Sequence, residues 1–231
     1  MQRTPHLFEE ARTSGRTHLL EPEAKALCSE YGIRVTKFSV ARTPEEALRF
    51  ADEIGYPVVL KVVSPQVIHK SDVGGVVTQL EDPREVKDAY QRILTNVEKN
   101  KPDAEIMGVL VEEMAPPSIE VIVGATRNPQ FGPVLMFGLG GILVEIIRDV
   151  SFRVAPINSS DALEMITELK AYSVLKGYRN QPPADINAMV EILLKVSKLV
   201  VERPEIREVD LNPIFVYEKG AKVVDARVSL G

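Results

Sequence analysis

Residues 55–75 read GYPVVLKVVSPQVIHKSDVGG, and they indicate the fold more strongly than any other stretch of the chain. The run from Pro57 to Val63 is almost continuously apolar, which predicts a strand buried on both faces. Lys61 lies inside this run, where an ammonium group is costly unless it meets an anion. A phosphate is the natural anion for this point charge. The alternative is an edge-strand lysine whose ammonium reaches water.

A loop with two glycines follows the strand directly and carries His69. Gly74 and Gly75 allow sharp turns and a close approach to a ligand, and consecutive N–H groups in such a loop can bind phosphate. No apolar stripe surrounds His69, and a neutral imidazole is a nucleophile near neutral pH. The neighbouring Lys70 favours this neutral form. An ordinary solvated histidine is the alternative.

Signals for helices and strands alternate along the chain, which predicts an α/β or α+β fold. Helices are predicted from Pro22 to Gly32, after the capping residues Thr43 and Asp82, and near residues 161–169 and 185–201. Strands are predicted over residues 107–114, 119–126, 133–137, 142–147, 206–211, 214–216 and 222–224.

A pair of prolines shortly after Met114 suggests a lobe boundary. We expect a leader over residues 1–18, an N-terminal lobe over residues 19–114 and a C-terminal lobe over residues 115–231. The leader shows no clear periodicity, so we expect little regular structure there.

Three segments carry polar groups or glycines next to predicted strands. Residues 111–114, VEEM, end a strand with two carboxylates, and a hinge that meets an adenine edge fits them as well as a strand end in solvent. Glu120 is expected on the strand face opposite its neighbours. Residues 138–141, GLGG, lack the six-residue glycine fingerprint, so a dinucleotide-binding fold is rejected.

Asp210, Asn212 and Asp225 form a candidate magnesium site. Asp210 and Asn212 share a strand face by the period of two, and Asp225 follows a later strand. Mg²⁺ takes few protein oxygens and completes its shell with water and substrate phosphates. Asn-Pro alone is an ordinary turn signal, so the metal interpretation depends on the two strands together.

Composition excludes several classes of protein. The 231 residues carry a net charge of −5 with no long basic run, which argues against nucleic-acid binding. No apolar run approaches the roughly 20 residues that a membrane span needs. One cysteine, Cys28, rules out an internal disulfide and predicts a cytoplasmic location.

Taken together, these segments resemble an ATP-grasp domain, with two lobes that clasp a nucleotide. The resemblance is closest to the beta subunits of ADP-forming acetyl-CoA synthetases and more distant to those of succinyl-CoA synthetases. It covers the chain from Leu19 onward. The motifs that carry it are LLEPEAKALCSEYGI, GYPVVLKVVSP, HKSDVGGV, VEEM, GLGGILVE, VDLNPIFV and VVDAR. The histidine motif is the most specific of them.

The resemblance implies a role for each candidate residue. Lys61 is similar to the lysine that contacts ATP phosphates, and His69 to the phosphorylated histidine of this subunit. Asp210 resembles an acidic residue that orients phosphohistidine, although succinyl-CoA synthetases have glutamate there and lack a counterpart of His69. The resemblance further implies an adenine site at Glu112 and the Met114 backbone, a position near the nucleotide for Glu120, and Mg²⁺ ligands at Asn212 and Asp225.

The implied reaction converts acyl-CoA, ADP and phosphate into carboxylate, CoA and ATP. An alpha subunit is expected to bind CoA and form the acyl phosphate, in an α2β2 assembly. ATP or ADP and Mg²⁺ are the expected ligands of this chain. Two other classes stay open: a self-contained ATP-grasp carboxylate–amine or carboxylate–thiol ligase, and a non-catalytic nucleotide-binding assembly subunit.

Overall fold

The structure is a computed structural model that describes residues 4–141, 149–177 and 182–231. Its helices are α1 Thr4–Thr13, α2 Glu21–Glu30, α3 Pro44–Ile54, α4 Pro83–Asn100, α5 Ser159–Thr167, α6 Tyr172–Leu175 and α7 Ile186–Glu202. Its strands are β1 Phe38–Ala41, β2 Val58–Val63, β3 Val76–Leu80, β4 Gly108–Glu113, β5 Ile119–Asn128, β6 Gly132–Leu139, β7 Val150–Val154, β8 Ile206–Val216, β9 Ala221–Val223 and β10 Ala226–Leu230. The predicted mixture of helices and sheets is confirmed.

The chain divides into two compact units. The small unit contains Leu20–Pro22 and Thr36–Ala115, and the large unit contains Met1–Leu19, Glu23–Val35 and Pro116–Gly231. This grouping differs from a simple division after Met114, because residues near the N-terminus pack with the C-terminal half of the chain. The sequence pattern could not reveal it, since packing partners so far apart along the chain share no local signal.

In the small unit, four antiparallel strands form a sheet in the order β1-β4-β2-β3. Helices α3 and α4 begin where the sequence predicted them. The Thr43 side chain accepts a hydrogen bond from the Glu46 N–H at 3.2 Å. The Asp82 side chain accepts from the N–H of Glu85 at 2.9 Å, so both caps satisfy a backbone donor that the helix leaves open.

The central strand β2 is buried on both faces, as predicted. Val58, Leu60 and Val62 belong to the core beneath α3 and α4. Because alternate strand residues point to opposite faces, Lys61 lies on the other face. That face also carries Val63, which packs with Leu20 and Leu110 in a smaller apolar cluster. The fold thus places an ammonium group beside apolar side chains on an otherwise buried strand.

The large unit is built on a second antiparallel sheet in the order β10-β8-β5-β6-β7, with β9 paired to β8. One face of this sheet is packed by helices, and α7 contributes much of the apolar contact through Met189, Leu193 and Val196. On β8 the buried residues alternate with Asp210 and Asn212, which occupy the opposite face. This alternation confirms the shared face that the period of two predicted.

Several elements differ from the sequence predictions. Residues 4–13, expected to be irregular, form α1, in which Phe8 and Ala11 are buried. The two predicted strands at residues 206–211 and 214–216 form the continuous strand β8. The predicted strand over residues 142–147 lies outside the described residues. Within the part of the chain that is described, no helix is long and apolar enough to cross a membrane.

Candidate functional site

A buried cluster of charges surrounds Lys61 in the small unit. The Lys61 Nζ lies 2.8 Å from Glu21 Oε1 and 2.8 Å from Glu112 Oε2. The side chains of Lys61, Glu21 and Glu112 are 11%, 3% and 1% exposed. Such a group is stable only when its charges are paired. The lysine is therefore held between two carboxylates and does not reach freely into water, which disfavours the edge-strand alternative.

Strand register explains why Glu112 reaches Lys61. In the β2–β4 pair, Val59 lies opposite Glu112 and Lys61 lies opposite Leu110. The two polar residues therefore share a face and are diagonal neighbours, a separation that long side chains can bridge. The Thr36 hydroxyl donates a hydrogen bond to the other Glu112 oxygen, Oε1. With both oxygens engaged, the geometry gives Glu112 the task of fixing the lysine.

Several polar groups of the predicted adenine site at residues 112–114 already have hydrogen-bond or ion-pair partners within the small unit. The Glu113 N–H donates to the Lys37 carbonyl at 2.9 Å, and the Met114 N–H donates to the Pro57 carbonyl at 3.1 Å. Both amide donors and the Glu112 carboxylate are thus used inside the small unit. The adenine contact stays a prediction.

The histidine loop is compact and begins with an exposed His69. Lys70–Val73 form one turn of 3₁₀ helix, and the Gly75 N–H donates to the Lys70 carbonyl at 2.8 Å. Gly74 has φ +68°, a left-handed conformation that glycine adopts without strain. A Cβ on Gly75 would lie 2.6 Å from Val62 Cγ1, so this glycine lets the loop pass close to β2. The two glycines shape the turn that presents His69.

Lys70 connects the histidine loop to the buried charges. Its Nζ lies 3.0 Å from Glu21 Oε2, and the Lys70 side chain is 13% exposed. Glu21 therefore bridges two lysines, one on β2 and one next to His69. Sequence reasoning missed Glu21, Thr36 and this role of Lys70. The usable signal was the glutamate in LLEPEAK, an acidic residue directly after two leucines.

Glu120 lies beside the GLGG turn of the large unit. It is exposed at the start of β5, and its carbonyl accepts from the Gly140 N–H at 2.7 Å. A Cβ on Gly140 would come within 2.9 Å of Glu120 Cβ, so glycine is required for this close approach. The turn therefore positions the Glu120 backbone. Its proximity to a nucleotide stays a prediction.

Asn212 and Asp225 are brought together in the large unit, as the magnesium hypothesis requires. The Asn212 N–H donates to the Asp225 carbonyl at 3.2 Å, at the end of the β8–β10 pair. Asp225 Oδ1 is buried and has no hydrogen-bond partner among the described residues, whereas Oδ2 lies 3.9 Å from the Arg227 guanidinium. A buried carboxylate oxygen left open beside an exposed amide suits Mg²⁺.

These residues fit a cation that depends on further ligands from a substrate. In the described ranges, no three His, Cys, Asp or Glu side chains are grouped so that they could hold a metal ion. Two protein oxygens plus phosphate oxygens and water would complete an octahedron around Mg²⁺. Bound there, the ion would supply positive charge to a phosphoryl group.

Asp210 stands next to this pair and carries a perturbed carboxyl group. It lies opposite Arg227 on β10 and Gly124 on β5. Burial raises the pKa of the Asp210 carboxyl; Arg227 lowers that pKa, and the negative charges of Asp225 and Glu208 raise it. A more basic carboxylate is a better acceptor for an imidazole N–H. This suits the predicted contact with a phosphohistidine.

Cys28 is a buried structural thiol. It is fully buried on α2, and burial raises its pKa to about 12, with the nearby Lys25 lowering it. A thiol with such a pKa carries almost no thiolate near neutral pH, so it is no nucleophile.

Comparison with known proteins decides the family. A model of the ATP-grasp domain matches residues 10–230, nearly the whole chain. The chain belongs to the ATP-grasp family. The ATP-grasp fold that the resemblance implied is thereby confirmed.

Two archaeal relatives show which branch of the ATP-grasp family is similar. The beta subunit of acetate–CoA ligase (ADP-forming) I from Pyrococcus furiosus is 54% identical over 97% of this chain and 96% of its own length. Acetate–CoA ligase (ADP-forming) I from Archaeoglobus fulgidus is 48% identical over 100% of this chain, which corresponds to 33% of that longer relative. The predicted resemblance to ADP-forming beta subunits is confirmed.

Solved structures of an acetyl-coenzyme A synthetase from Ca. Korarchaeum cryptofilum have the same ATP-grasp fold. The complex with coenzyme A and Ca-AMPCP has a TM-score of 0.97 at 54% identity, covering 99% of this chain and 100% of that chain. A second complex, with Mg-AMPPCP, has a TM-score of 0.87 at 51% identity over 98% and 99% of the two chains. These ligands confirm the predicted class, an adenine nucleotide with a divalent cation, for this family.

Two structures of the same Korarchaeum protein describe a phosphohistidine segment. In the Mg-AMPPCP complex its phosphohistidine segment points towards the nucleotide binding site. In another structure the segment is phosphorylated and has the site I orientation, with a TM-score of 0.93 at 53% identity over 98% and 99% of the chains. A phosphohistidine segment therefore exists in an ATP-grasp relative that is more than 50% identical to this chain.

Proposed function

We propose that this chain is the nucleotide-binding beta subunit of an ADP-forming acetyl-CoA synthetase, in which His69 carries the phosphoryl group. One observation carries the proposal: an exposed histidine begins a glycine-ended turn whose neighbour, Lys70, is joined through Glu21 to the buried strand lysine Lys61. This arrangement joins a nucleophile and a phosphate-binding cation in one unit. Self-contained ligases of the ATP-grasp family have no need of such a histidine.

In the proposed reaction, the phosphoryl group passes through two histidines, one on the partner subunit and one on this chain. At the partner subunit, phosphate attacks the thioester of acetyl-CoA, so CoA leaves and acetyl phosphate forms. A histidine of the partner then attacks the phosphorus and acetate leaves. His69 attacks that phosphohistidine through a ring nitrogen, and finally a terminal oxygen of ADP attacks phospho-His69 to give ATP. Imidazole suits both transfers because it is both nucleophile and leaving group.

The residues of this chain are assigned the following tasks. Lys61, held in place by its two carboxylates, places positive charge beside the transferring phosphoryl group. Gly74 and Gly75 shape the turn that presents His69, since their N–H groups close that turn by hydrogen bonds to the Ser71 and Lys70 carbonyls. Asp210 orients a phosphohistidine during transfer by accepting a hydrogen bond from its ring N–H, a role for which its raised pKa is suited. Asn212 and Asp225 hold Mg²⁺.

The magnesium assignment is tested by binding. Asp225→Ala is expected to weaken nucleotide affinity strongly with Mg²⁺ present and to leave the weaker metal-free affinity unchanged. Glu218→Ala, at an exposed carboxylate of the same unit, is the matched control. Calorimetric titration of ADP with and without Mg²⁺ measures both. Equal Mg²⁺ dependence in wild type and Asp225→Ala would place the metal elsewhere.

The division of labour is tested by reconstitution. We propose an α2β2 assembly in the cytoplasm, a location that the unpaired Cys28 supports. The chain alone should bind ATP and form no acetyl-CoA from acetate, CoA and ATP. Adding the alpha subunit should restore synthesis, and the mass of the complex gives its stoichiometry. Full turnover by the chain alone would instead favour a self-contained ligase. ATP binding with no turnover after reconstitution would favour an assembly subunit.

A further inference from the structure

Glu21 contacts Lys70 as well as Lys61, and the proposed reaction assigns no task to the Lys70 contact. Its Oε1 lies 2.8 Å from the Lys61 ammonium and its Oε2 lies 3.0 Å from the Lys70 ammonium. The Glu21 side chain is 3% exposed, so these contacts are shielded from solvent. We infer that Glu21 is a positioning residue that holds the His69 segment in place through Lys70 and releases it when that ion pair breaks. The inference rests on the proposed role of His69.

Breaking the ion pair between Lys70 and Glu21 is costly because the Glu21 carboxylate is buried. The cluster contains two ammonium groups, Lys61 and Lys70, and two carboxylates, Glu21 and Glu112. If Lys70 moves away with the segment, Glu21 loses an ammonium partner in a place that water hardly reaches. Removing one partner of a buried ion pair is strongly unfavourable for this reason. Glu21 thus biases the segment towards the orientation seen here.

Other contacts of the segment limit how far His69 can move from its present position. Val67, two residues before the histidine, is buried in the core of the small unit. The Asn96 amide donates to the Gly74 carbonyl at 3.2 Å and the Asn100 amide to the Val73 carbonyl at 3.2 Å, both from α4. Two residues of chain extend by at most about 7 Å. While Val67 stays in the core, His69 therefore stays within about 7 Å of it, and a displacement that carries Lys70 along separates Lys70 from Glu21.

The segment must nevertheless move for a two-step relay. His69 has to accept a phosphoryl group at one place and deliver it at another. The segment therefore exchanges between two orientations. An ion pair shifts the equilibrium between them only by the difference in its free energy in the two orientations. Glu21 pairs with Lys70 in one of them, which provides that difference. The Glu21 carboxylate also pairs with Lys61. When nucleotide phosphates attract the Lys61 ammonium, the attraction between Glu21 and Lys70 therefore changes.

Two single variants and their combination test the inference in the complex with the partner subunit. Lys70→Met removes the cation from a mostly exposed turn, and Glu21→Gln removes the charge that binds it. Lys101→Met is the control, because Lys101 forms a more exposed pair with Asp103, 3.6 Å apart, in the same unit. Thermal unfolding shows which variants are folded. If Glu21→Gln does not fold, Lys70→Met and its control suffice.

The first readout is amide hydrogen exchange over residues 68–75, which requires no catalysis. Lys70→Met and Glu21→Gln should each speed exchange there by about five-fold or more, the effect of a modest loss in local stability. The double variant should add little to either single one, since both break the same contact. Unchanged exchange in folded Lys70→Met would overturn the inference, as would strictly additive effects.

The second readout compares two routes to phospho-His69. One supplies labelled ATP, and the other supplies acetyl-CoA with labelled phosphate through the partner. Releasing the segment should change the ratio of the two rates by about five-fold in both single variants and leave it unchanged in Lys101→Met. A merely structural role would slow both routes equally, which would refute the positioning role. Absence of label in wild type would refute the proposed function itself, and amide exchange would still decide the Glu21 contact.

Discussion

At the residue scale, the carboxylates around Lys61 determine what that lysine can do. Glu21 and Glu112 each place an oxygen 2.8 Å from its ammonium. A lysine fixed in this way loses little side-chain freedom when it meets a phosphate, because its position is already defined. The same pairing makes the residue important for stability as well as for binding.

Lys61→Met is therefore expected to destabilise the small unit. The variant leaves Glu21 and Glu112 buried without the charge between them, and breaking a buried pair costs about 3 kcal/mol or more. Urea unfolding at pH 7 gives the free energy of unfolding. Lys87→Met, at an exposed lysine on α4, is the matched control and should change it by less than about 0.5 kcal/mol. Equal free energies of unfolding for the two variants would show that the ion pairs of Lys61 do not stabilise the small unit.

Asp210→Asn is expected to stabilise the fold in a pH-dependent way. Burial raises the pKa of Asp210 in the folded protein, so ionising this carboxyl costs stability at any pH above the folded pKa. The cost disappears below the unfolded pKa of about 3.9, where both states are protonated. The variant should thus be more stable than wild type at pH 7, by a margin that shrinks as the pH falls towards 4.

Urea unfolding of Asp210→Asn and wild type at pH 7 and pH 4 measures this margin. Glu208→Gln, at an exposed carboxylate on the same strand, controls for the loss of one negative charge. A margin that stays constant between the two pH values would mean that the Asp210 pKa is not raised.

At the element scale, β2 and the turn after it act as one structure. Gly75 lies where a Cβ would meet Val62 Cγ1 at 2.6 Å and the Lys70 carbonyl oxygen at 3.0 Å. Backbone cannot give way cheaply at such a contact, so a side chain there displaces the turn that carries His69. The glycine thus ties the position of the histidine segment to that of the buried strand.

Gly75→Ala should cost about 1–3 kcal/mol of unfolding free energy, the range seen when a packed site is overfilled. Part of this cost should vanish in a background of Val62→Ala, which removes the Cγ1 that the new methyl group meets. Urea unfolding of the two single variants and the double variant gives the coupling. Strictly additive effects would show that the turn adapts and that the close contact is unimportant.

Local patterns predicted the elements that carry strong local signals. The apolar run of β2 and the caps Thr43 and Asp82 each depend on a few neighbouring residues, and each appears in the structure. β10 was missed, since its five residues alternate too briefly to stand out. Glu21 was missed because it is 40 residues from its partner Lys61, and sequence patterns contain no information about such pairs.

The candidate site shows the same division. His69, Asn212 and Asp225 were predicted as site residues from residue type, spacing and the family resemblance, and the structure pairs the backbones of the latter two at 3.2 Å. What these residues contact in three dimensions was not predictable. The engagement of Glu112 by Lys61 and Thr36 is the clearest case, because no local pattern links these residues, and the expected adenine contact of Glu112 stays a prediction.

At the scale of the whole molecule, the chain contains residues for one half of a reaction. The small unit carries the histidine segment and the strand lysine, and the large unit carries Asp210, Asn212 and Asp225. Each unit has its own sheet and apolar core. We therefore expect phosphoryl transfer to and from this chain, and acyl transfer on the partner subunit.

Phosphorylation of His69 is the most direct test of this account. The chain is incubated with ATP labelled at the γ-phosphate and with Mg²⁺, alongside His69→Asn and the control His6→Asn, at an exposed histidine on α1. Wild type and His6→Asn should take up a label that is labile in acid, stable in base and returned to ADP as ATP, and folded His69→Asn should take up none. Full labelling of His69→Asn, or an acid-stable label in wild type, would contradict the account.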